Sequence, residues 1–258
     1  MRTLAVIPAR FASSRLPGKP LLKATGKYLI QHVYERACQA RHIDQVIVAT
    51  DDARIETAVK SFGGQVVMTR EDHQSGTDRV AEAAQFHDAD IVVNLQGDEP
   101  LIEPDALDFT ADLLVRHPQA AMATLATPLR SMEQYQNPNC VKVVVGDLGQ
   151  ALYFSRSPIP FVRDGMPELA HEPFQFFQHL GLYAYRREFL LKLAQTPVSA
   201  LEQLEKLEQL RVLSLGQRIQ VGVVAQSSAG VDTPEDYQRF VSEWNRQQGH
   251  PGDRRLAA

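Results

Sequence analysis

The sequence lacks the features that mark disulfide-rich, membrane-spanning and disordered proteins. Its two cysteines, Cys38 and Cys140, lie far apart with no CxxC spacing, which excludes a disulfide scaffold and favours reduced thiols in a reducing compartment. The apolar run over residues 4–7 is too short for a signal peptide or a membrane span. With 44% hydrophobic and 22% charged residues, the composition is that of a globular protein. We therefore expect a cytoplasmic protein without a membrane partner.

Acidic residues are missing from the start of the chain. The first of them is Glu35, and six basic residues precede it, although the net charge of the protein is -4. A negative net charge argues against a nucleic-acid partner, which usually requires a basic domain. The basic segment indicates either a pocket for a small polyanion or a solvated basic face. The six residues are Arg2, Arg10, Arg15, Lys19, Lys23 and Lys27.

Short apolar segments alternate with segments of helical spacing in the first half of the chain. This alternation predicts βαβ units and thus an α/β fold, with a mostly parallel, Rossmann-like sheet. Ligands of such sheets bind at the carboxyl ends of the strands, here the loops that start at Pro8, Thr50 and Gln96. The predicted strands are residues 4–7, 46–49, 65–68 and 91–95, and the predicted helices are residues 28–40, 53–62 and 77–87.

The second half is less regular, and no linker divides the chain. We expect one domain over residues 1–245, in which residues 131–218 form an inserted part and residues 219–245 return to the core. A proline-rich segment, residues 157–173, predicts a long ordered loop or small subdomain, and residues 246–258 predict a flexible tail. The predicted strands are residues 122–126, 141–145, 151–154, 182–185 and 219–224, and the predicted helices are residues 200–213 and 234–245.

Leucines recur at every third position of the predicted helix over residues 200–213. Three residues advance about 300° around a helix, so each leucine lies about 60° behind the one before it. The five leucines therefore spread around most of the helix. Such a helix is either deeply buried or packed against a second subunit, and we favour a homodimer through this region. The leucines are Leu201, Leu204, Leu207, Leu210 and Leu213.

The segment after the first strand has the position of a phosphate-binding loop. Residues 7–20 contain one glycine and match neither the Walker pattern nor GxGxxG. They carry Arg10, Arg15 and Lys19, and such cations bind phosphate oxygens as forks or point charges. The loop therefore predicts binding of a triphosphate and stabilisation of leaving pyrophosphate, with a basic turn as the structural alternative.

Two aspartates have positions suited to a metal. Asp98 follows an apolar strand and a glycine, which places it at the ligand edge of the sheet. Asp232 precedes a predicted capping box of Thr233 and Asp236, so its own carboxylate is not needed for capping. Because Mg²⁺ binds one or two carboxylates together with phosphate oxygens, Asp98 is the predicted ligand. Asp232 is either a second ligand or an ordinary turn residue.

Together these segments predict metal-assisted nucleotidyl transfer. A substrate hydroxyl would attack the α-phosphorus in line with departing pyrophosphate, and activation of that hydroxyl by the metal is the better hypothesis than a dedicated base. Candidate residues for the acceptor lie in the second half: Arg156, His179 and, on the leucine helix, Glu208 and Gln209. On composition alone, ordinary structural roles are favoured for each of them.

Eight motifs follow one another along the chain: PARFASSRLPGKPL, DHQSGTDRVAE, NLQGDEP, NPNCVKVV, ALYFSRSPIP, HLGLYAYR, LEQLEKLEQLRVL and GVDTPEDY. In this order they resemble the CMP-Kdo synthetases, the 3-deoxy-manno-octulosonate cytidylyltransferases, over residues 1 to about 245. The resemblance implies a nucleotide-diphospho-sugar transferase fold with a smaller inserted subdomain for sugar binding and dimerisation. It also implies a homodimer, dependence on Mg²⁺, and conversion of CTP and 3-deoxy-manno-octulosonate (Kdo) to CMP-Kdo and diphosphate for lipopolysaccharide.

The resemblance further implies a role for each matching position. Asp98 and Asp232 would hold the two metal ions and, with Lys19, form the catalytic group. CTP would bind in residues 1 to about 130, and the sugar acid and the dimer contact would lie in residues 131–218. The nucleotide-binding residues would be Pro8, Ala9, Arg10, Ser13, Arg15, Lys19, Ser75, Gly76, Arg79 and Gln96. The sugar-acid residues would be Arg156 (on the carboxylate), His179, Tyr183, Glu208 and Gln209.

Alternatives from two classes remain open. A cytidylyltransferase for 8-amino-Kdo, or for a sialic or pseudaminic acid, would share the first loop, and no residue here is assigned to the outermost hydroxyl of Kdo. The sialic type would not be expected to keep the HLGLYAYR and LEQLEKLEQLR segments together. A non-catalytic nucleotide-binding regulator would leave the two aspartates beside the triphosphate loop unexplained. An NAD-dependent enzyme is disfavoured because the glycine fingerprint is absent.

Overall fold

The apolar segments predicted as strands form one sheet. The structure, a computed structural model, describes residues 1–12, 15–73, 75–169, 175–226, 228 and 230–248. Its strands are β1 (Thr3–Ala9), β2 (Gln45–Thr50), β3 (Val66–Met68), β4 (Ile91–Asn94), β5 (Ala120–Pro128), β6 (Lys142–Val145), β7 (Ala151–Ser155), β8 (Phe177–Arg186) and β9 (Arg218–Val223). Strands β1 to β4 are parallel, and β8 runs antiparallel to its neighbours β4 and β5. The prediction of an α/β fold around parallel strands is confirmed.

Helices cover both faces of this sheet. They are α1 (Leu29–Ala37), α2 (Ala53–Ser61), α3 (Gly76–Gln85), α4 (Pro104–Arg116), α5 (Met132–Gln136), α6 (Arg187–Ala194), α7 (Ala200–Glu205), α8 (Gln209–Ser214) and α9 (Pro234–Gln248). On β1, Ala5 and Ile7 pack with α1, α2 and α4, whereas Leu4 and Val6 pack with α3, α6 and α8. Within the described residues, no helix is both long enough and apolar enough to cross a membrane.

The strand order changes direction beside β1. The order is β3-β2-β1-β4-β8-β5-β9, with β6 paired to β7 and β8. The chain therefore moves outward from β1 to β2 and β3, and then returns on the other side of β1 as β4. Loops that leave β1 and β4 at such a switch point separate and open a crevice at the carboxyl ends of the strands. Lys19 and Asp98 lie on these two loops.

The prediction of one continuous helix over residues 200–213 is wrong. Lys206 has a left-handed backbone (φ 54°) and ends α7, so α8 starts as a separate helix. Leu207 and Leu210 are buried, whereas Leu204 is 81% exposed. The leucines therefore belong to two helices with separate apolar faces, and their spacing no longer supports a dimer. Helix α6 was not predicted from the sequence.

Two further predictions concern irregular segments. The proline-rich segment has neither helix nor strand over residues 157–169, the part that the structure describes before residue 175. The predicted tail begins too early, because α9 continues to Gln248, and residues 249–258 lie outside the described residues. The division of the chain into one domain with an inserted part stays a prediction.

A buried ion pair joins α7 to α8. The guanidinium group of Arg211 donates to both carboxylate oxygens of Glu202, at 2.7 Å each, and both side chains are buried. Glu202 also forms the capping box with Ser199 that starts α7. The pair therefore fixes the position of α8, whose first residues belong to the candidate site.

We expect Arg211→Ala to lower the free energy of unfolding by about 3–5 kcal/mol, because Glu202 would stay buried without its partner. Urea denaturation measures this change. The control is Lys60→Ala, which removes the partly exposed pair with Glu56 on α2 and is expected to cost less than about 0.5 kcal/mol. Equal losses in the two variants would contradict a structural role for the Arg211 pair.

Candidate active site

The ammonium group of Lys19 lies between two carboxylates at the carboxyl ends of β1 and β4. Its Nζ atom is 2.7 Å from Oδ2 of Asp98 and 3.2 Å from Oδ1 of Asp232. The guanidinium group of Arg15 is 3.2 Å from the same oxygen of Asp232. The structure thus brings together four residues that the sequence analysis took from three distant segments.

Two glycines allow the loops after β1 and β4 to approach each other. Gly18 has φ 67° and precedes the 3-10 turn Lys19–Leu21, which carries the lysine. At Gly97, a Cβ atom would lie 3.0 Å from the carbonyl oxygen of Pro8, so a side chain there would push the two loops apart. Pro8 and Ala9 are the last residues of β1 and therefore lie at the crevice.

Asp232 is held at the start of α9. The Thr233 hydroxyl accepts a hydrogen bond from the amide of Asp236, whose carboxylate accepts from the amide of Thr233, so the predicted capping box is confirmed. The amide of Val231 donates to the Asp98 carbonyl oxygen at 2.8 Å, which joins the two aspartate loops through their backbones. The Asp232 carboxylate is thereby left to face Lys19.

Arg10 connects the phosphate loop to the start of α3. Its guanidinium group donates to the carbonyl oxygens of His73 at 2.6 Å and Ser75 at 3.2 Å. Ser75 caps α3 with its side chain, and Gly76 is the first residue of that helix. A capped helix start beside basic side chains suits a phosphate group. Ser13 lies outside the described residues.

Arg79 lies on α3 and is buried below the start of that helix. Its side chain is fully buried, pairs with the carboxylate of Asp51 and donates to the Thr69 hydroxyl at 2.5 Å. Because Asp51 follows β2 and Thr69 follows β3, these contacts join α3 to the neighbouring loops of the sheet edge. A contact between Arg79 and the nucleotide stays a prediction.

A cavity of about 260 Å³ contains residues predicted for both substrates. It is lined by α3, the end of β4, the middle of β8 and the turn between α7 and α8. The nucleotide set contributes Gly76 and Gln96, and the sugar-acid set contributes Tyr183, Glu208 and Gln209. The two parts of the predicted site therefore meet in one cavity.

His179 is buried beside this cavity. Its Nε2 atom is 3.0 Å from the Thr124 hydroxyl oxygen, and its Nδ1 atom is 3.5 Å from the amide nitrogen of Gln209. The ring also packs against Phe154 and Tyr183, with centroid distances of 4.9 and 5.4 Å. Burial lowers the pKa of His179 to about 3. The imidazole is therefore neutral near pH 7 and suited to positioning rather than to proton transfer.

Glu208 and Tyr183 form a polar wall of the cavity. Burial raises the pKa of the Glu208 carboxyl, and the nearby charge of Asp78 acts in the same direction. Burial, together with the charges of Glu208 and Glu99, also raises the pKa of Tyr183. Among the described residues, the Oε2 atom of Glu208 has no hydrogen-bond partner. A buried acceptor of this kind is suited to a ligand hydroxyl.

Arg156 lies beside the turn between α7 and α8. Its guanidinium group donates to the carbonyl oxygens of Glu205 at 2.7 Å, Pro138 at 3.0 Å and Lys206 at 3.4 Å. The last of these bonds is long, so one nitrogen of the guanidinium group is only weakly engaged. Its predicted contact with a sugar carboxylate stays a prediction.

Two further charged side chains lie near the site and were given no role from the sequence, Glu99 and the buried Lys142. Burial raises the pKa of Glu99 to about 7, the hydrogen bond from Ser228 opposes this shift, and the charge of Asp98 adds to it. Lys142 is fully buried and donates to two carbonyl oxygens. Glu99 lies in the LQGDEP motif beside Asp98, the predicted metal ligand, so the motif could have drawn attention to it. Lys142 has no local sequence pattern that distinguishes it from a surface lysine.

A metal would find two carboxylates here. Asp98 and Asp232 both lie within 3.2 Å of the Lys19 amine, so a cation would be attracted to the same place. In the described part of the chain, no group of three or more His, Cys, Asp or Glu side chains could hold a metal ion. Carboxylate oxygens are ligands that suit Mg²⁺ rather than a transition metal, and Mg²⁺ usually completes its shell with phosphate oxygens and water.

Known proteins resemble this chain over most of its length. A family model described as Cytidylyltransferase matches residues 4–219. The 3-deoxy-manno-octulosonate cytidylyltransferase of Geobacter sulfurreducens is 50% identical over 248 residues, which cover 94% of this chain and 99% of the relative. That of Syntrophotalea carbinolica is 52% identical over 242 residues, which cover 93% of this chain and 97% of the relative.

A solved structure of a protein with the same activity as these relatives is also similar to this chain. A CMP:2-keto-3-deoxy-manno-octonic acid synthetase complexed with CTP superposes with a TM-score of 0.89 at 46% identity, covering 96% of this chain and 100% of the other. The fold is that of a nucleotidyltransferase. More particularly, the chain belongs to the cytidylyltransferase family, in the group of 3-deoxy-manno-octulosonate cytidylyltransferases.

The His179 imidazole is expected to stay neutral between about pH 5 and 8 in an NMR titration. Its folded pKa lies below the unfolded value of about 6.5, so the unfolded chain binds the extra proton and stability falls as the pH drops from about 6.5 towards 3. His179→Gln should reduce this loss, part of which remains because burial also lowers the pKa of His32 to about 4. A folded midpoint near 6.5 would contradict the buried neutral ring.

Proposed function

We propose that this protein transfers the cytidylyl group of CTP to Kdo and releases diphosphate. The shared cavity supports this function most strongly, because it contains residues predicted for the nucleotide together with residues predicted for the sugar acid. The anomeric hydroxyl of Kdo forms the new bond to the α-phosphorus of CTP. The bond from that phosphorus to the oxygen bridging to the β-phosphate breaks in line with the attack.

Each side of the site has a distinct task in this proposal. Arg10, Arg15 and Lys19, with the start of α3, bind the triphosphate and balance the charge of leaving diphosphate. Tyr183 and the unpartnered oxygen of Glu208 bind hydroxyl groups of Kdo. Gln209 and His179 orient the sugar from the buried side, and Arg156 binds its carboxylate.

Mg²⁺ is the proposed cofactor, held by Asp98 and Asp232. These two aspartates converge on one amine, and the phosphates of CTP provide further oxygen ligands of the kind that Mg²⁺ prefers. When bound, the ion supplies charge stabilisation at the phosphates and acidifies the attacking hydroxyl. Lys19 then remains available to a phosphate oxygen.

A homodimer and a cytoplasmic location complete the proposal. Leu204 on α7, Leu152 on β7 and Val198 before α7 are 81%, 55% and 49% exposed, and we assign these apolar side chains to the contact with a second copy. Light scattering should give twice the chain mass of 28.8 kDa, and the single mass would contradict the dimer. The free thiols of Cys38 and Cys140 support a reducing compartment.

Pyrophosphate release tests the reaction directly. CTP or UTP is combined with Kdo, 8-amino-Kdo or sialic acid in the presence of Mg²⁺, and release is expected with CTP and Kdo. Release only with another acid sugar would support cytidylyl transfer but contradict Kdo as the acceptor. No release with any pair would contradict the proposed activity and favour a nucleotide-binding regulator.

Asp98→Asn should lower turnover by at least about a hundredfold with the fold intact, because the amide binds a hard cation weakly and little packing is lost. Steady-state kinetics and thermal unfolding measure the two effects. The control is Asp105→Asn, which changes an exposed aspartate on α4 that pairs with Arg41. Turnover near the wild-type value in Asp98→Asn would exclude the metal assignment.

A further inference from the structure

Lys142 places a charged amine in the interior of the protein, which is energetically unfavourable. It is fully buried on β6, and burial lowers the pKa of its amine. A buried ammonium group is tolerated only when polar partners replace its water. Its Nζ atom donates to the carbonyl oxygens of Asn137 at 2.9 Å and Arg156 at 2.7 Å. The lysine therefore holds the backbone of a residue that we assign to the sugar acid.

The position of β6 connects Lys142 to both sides of the sugar-acid region. In the strand register, Lys142 pairs with Ser155 on β7 and with Gln178 on β8. These residues directly precede Arg156 and His179. In addition, the amide of His179 donates to the carbonyl oxygen that precedes Lys142 in the chain, at 2.8 Å. One buried strand thus supports two of the proposed sugar-acid residues.

Arg156 carries this support to the end of α7. Its amide and the Ser155 hydroxyl donate to the two carboxylate oxygens of Glu205, at 2.9 and 2.6 Å. Its guanidinium group donates to the carbonyl oxygens of Glu205 and Lys206. Side-chain donors at the last carbonyls of a helix stabilise its end. The contacts of Arg156 therefore fasten the end of α7 to β7.

The turn at Lys206 depends on such fastening. Among the described residues, Lys206 is the one non-glycine residue with a positive φ, a conformation that disfavours residues with a Cβ atom. The turn places Glu208 and Gln209, the residues at the start of α8, in the cavity. A different path of the chain at Lys206 would displace both side chains.

We infer that Lys142 is a positioning residue for the sugar-acid substrate: its ammonium group fixes Arg156 and, through Arg156, the Lys206 turn that presents Glu208 and Gln209. This inference rests on the proposed function. The cations of the triphosphate loop are not part of the network, because they contact Asp98, Asp232 and the backbone before α3. Loss of Lys142 should therefore affect one substrate and spare the other.

Lys142→Met tests the inference, since methionine keeps most of the unbranched side chain and removes its charge and donors. We expect the KM for Kdo to rise about tenfold, because two buried carbonyl oxygens lose their partner and the turn shifts. The KM for CTP should stay within about twofold of the wild-type value. Unfolding by urea shows whether the variant is folded.

Arg186→Met is the matched control. Arg186 also donates to backbone carbonyl oxygens, those of Leu114, His117 and Ala120, but it pairs with Ile91 at the amino end of β4, away from the site. We expect this variant to lose stability without changing the ratio of the two KM values. If a general loss of packing were the cause, both variants would change the ratio of the two KM values in the same way.

Glu205→Ala provides a second test that leaves the buried lysine in place. It removes the carboxylate that holds the Arg156 amide and the Ser155 hydroxyl, and we expect the same selective rise in the KM for Kdo. The inference is overturned if a folded Lys142→Met or Glu205→Ala keeps the wild-type KM for Kdo, or raises both KM values equally. An inactive wild-type protein would overturn the proposed function as well.

Discussion

The ammonium group of Lys19 between Asp98 and Asp232 is the interaction on which the site depends. Asp98 and Asp232 are 134 positions apart in the sequence, and their like charges would repel each other without a cation between them. Lys19 is only 14% exposed in its side chain, so solvent screens these attractions less than it would at the surface. The amine therefore fixes the relative positions of the loops after β1 and β4 and the start of α9, at the crevice of the sheet.

The rest of the site extends from this point in two directions. On one side, Arg10 links the same loop to the start of α3, where Gly76 enters the substrate cavity. On the other side, β8 crosses beside β4 and carries His179 and Tyr183, and the α7–α8 turn adds Glu208 and Gln209. The charged phosphate side of the site is thus joined to a second side that carries hydroxyl, amide and imidazole groups, as suits a reaction between a polyanion and a polyhydroxylated acid.

Much of this arrangement was predictable, and the remainder has physical reasons for being missed. The parallel strands are apolar runs because both of their faces are buried, and Asp232 stood out because Thr233 and Asp236 already satisfied the helix start. The helix break was missed because Lys206, a good helix former, takes a left-handed conformation that nearby contacts stabilise. The burial of Arg79 and Lys142 was missed because charged residues are normally exposed, and their partners become neighbours only in the folded chain.

The binding of Mn²⁺ to the free protein and to its complex with CTP tests the central claim most directly. Mn²⁺ prefers the same oxygen ligands as Mg²⁺ and can be followed by its paramagnetic signal. The account predicts weak binding alone, because Lys19 already neutralises much of the charge of the aspartates, and binding at least about tenfold tighter with CTP. It also predicts that Asp232→Asn weakens binding in the complex. Tight binding that is independent of CTP and of Asp232 would contradict the account.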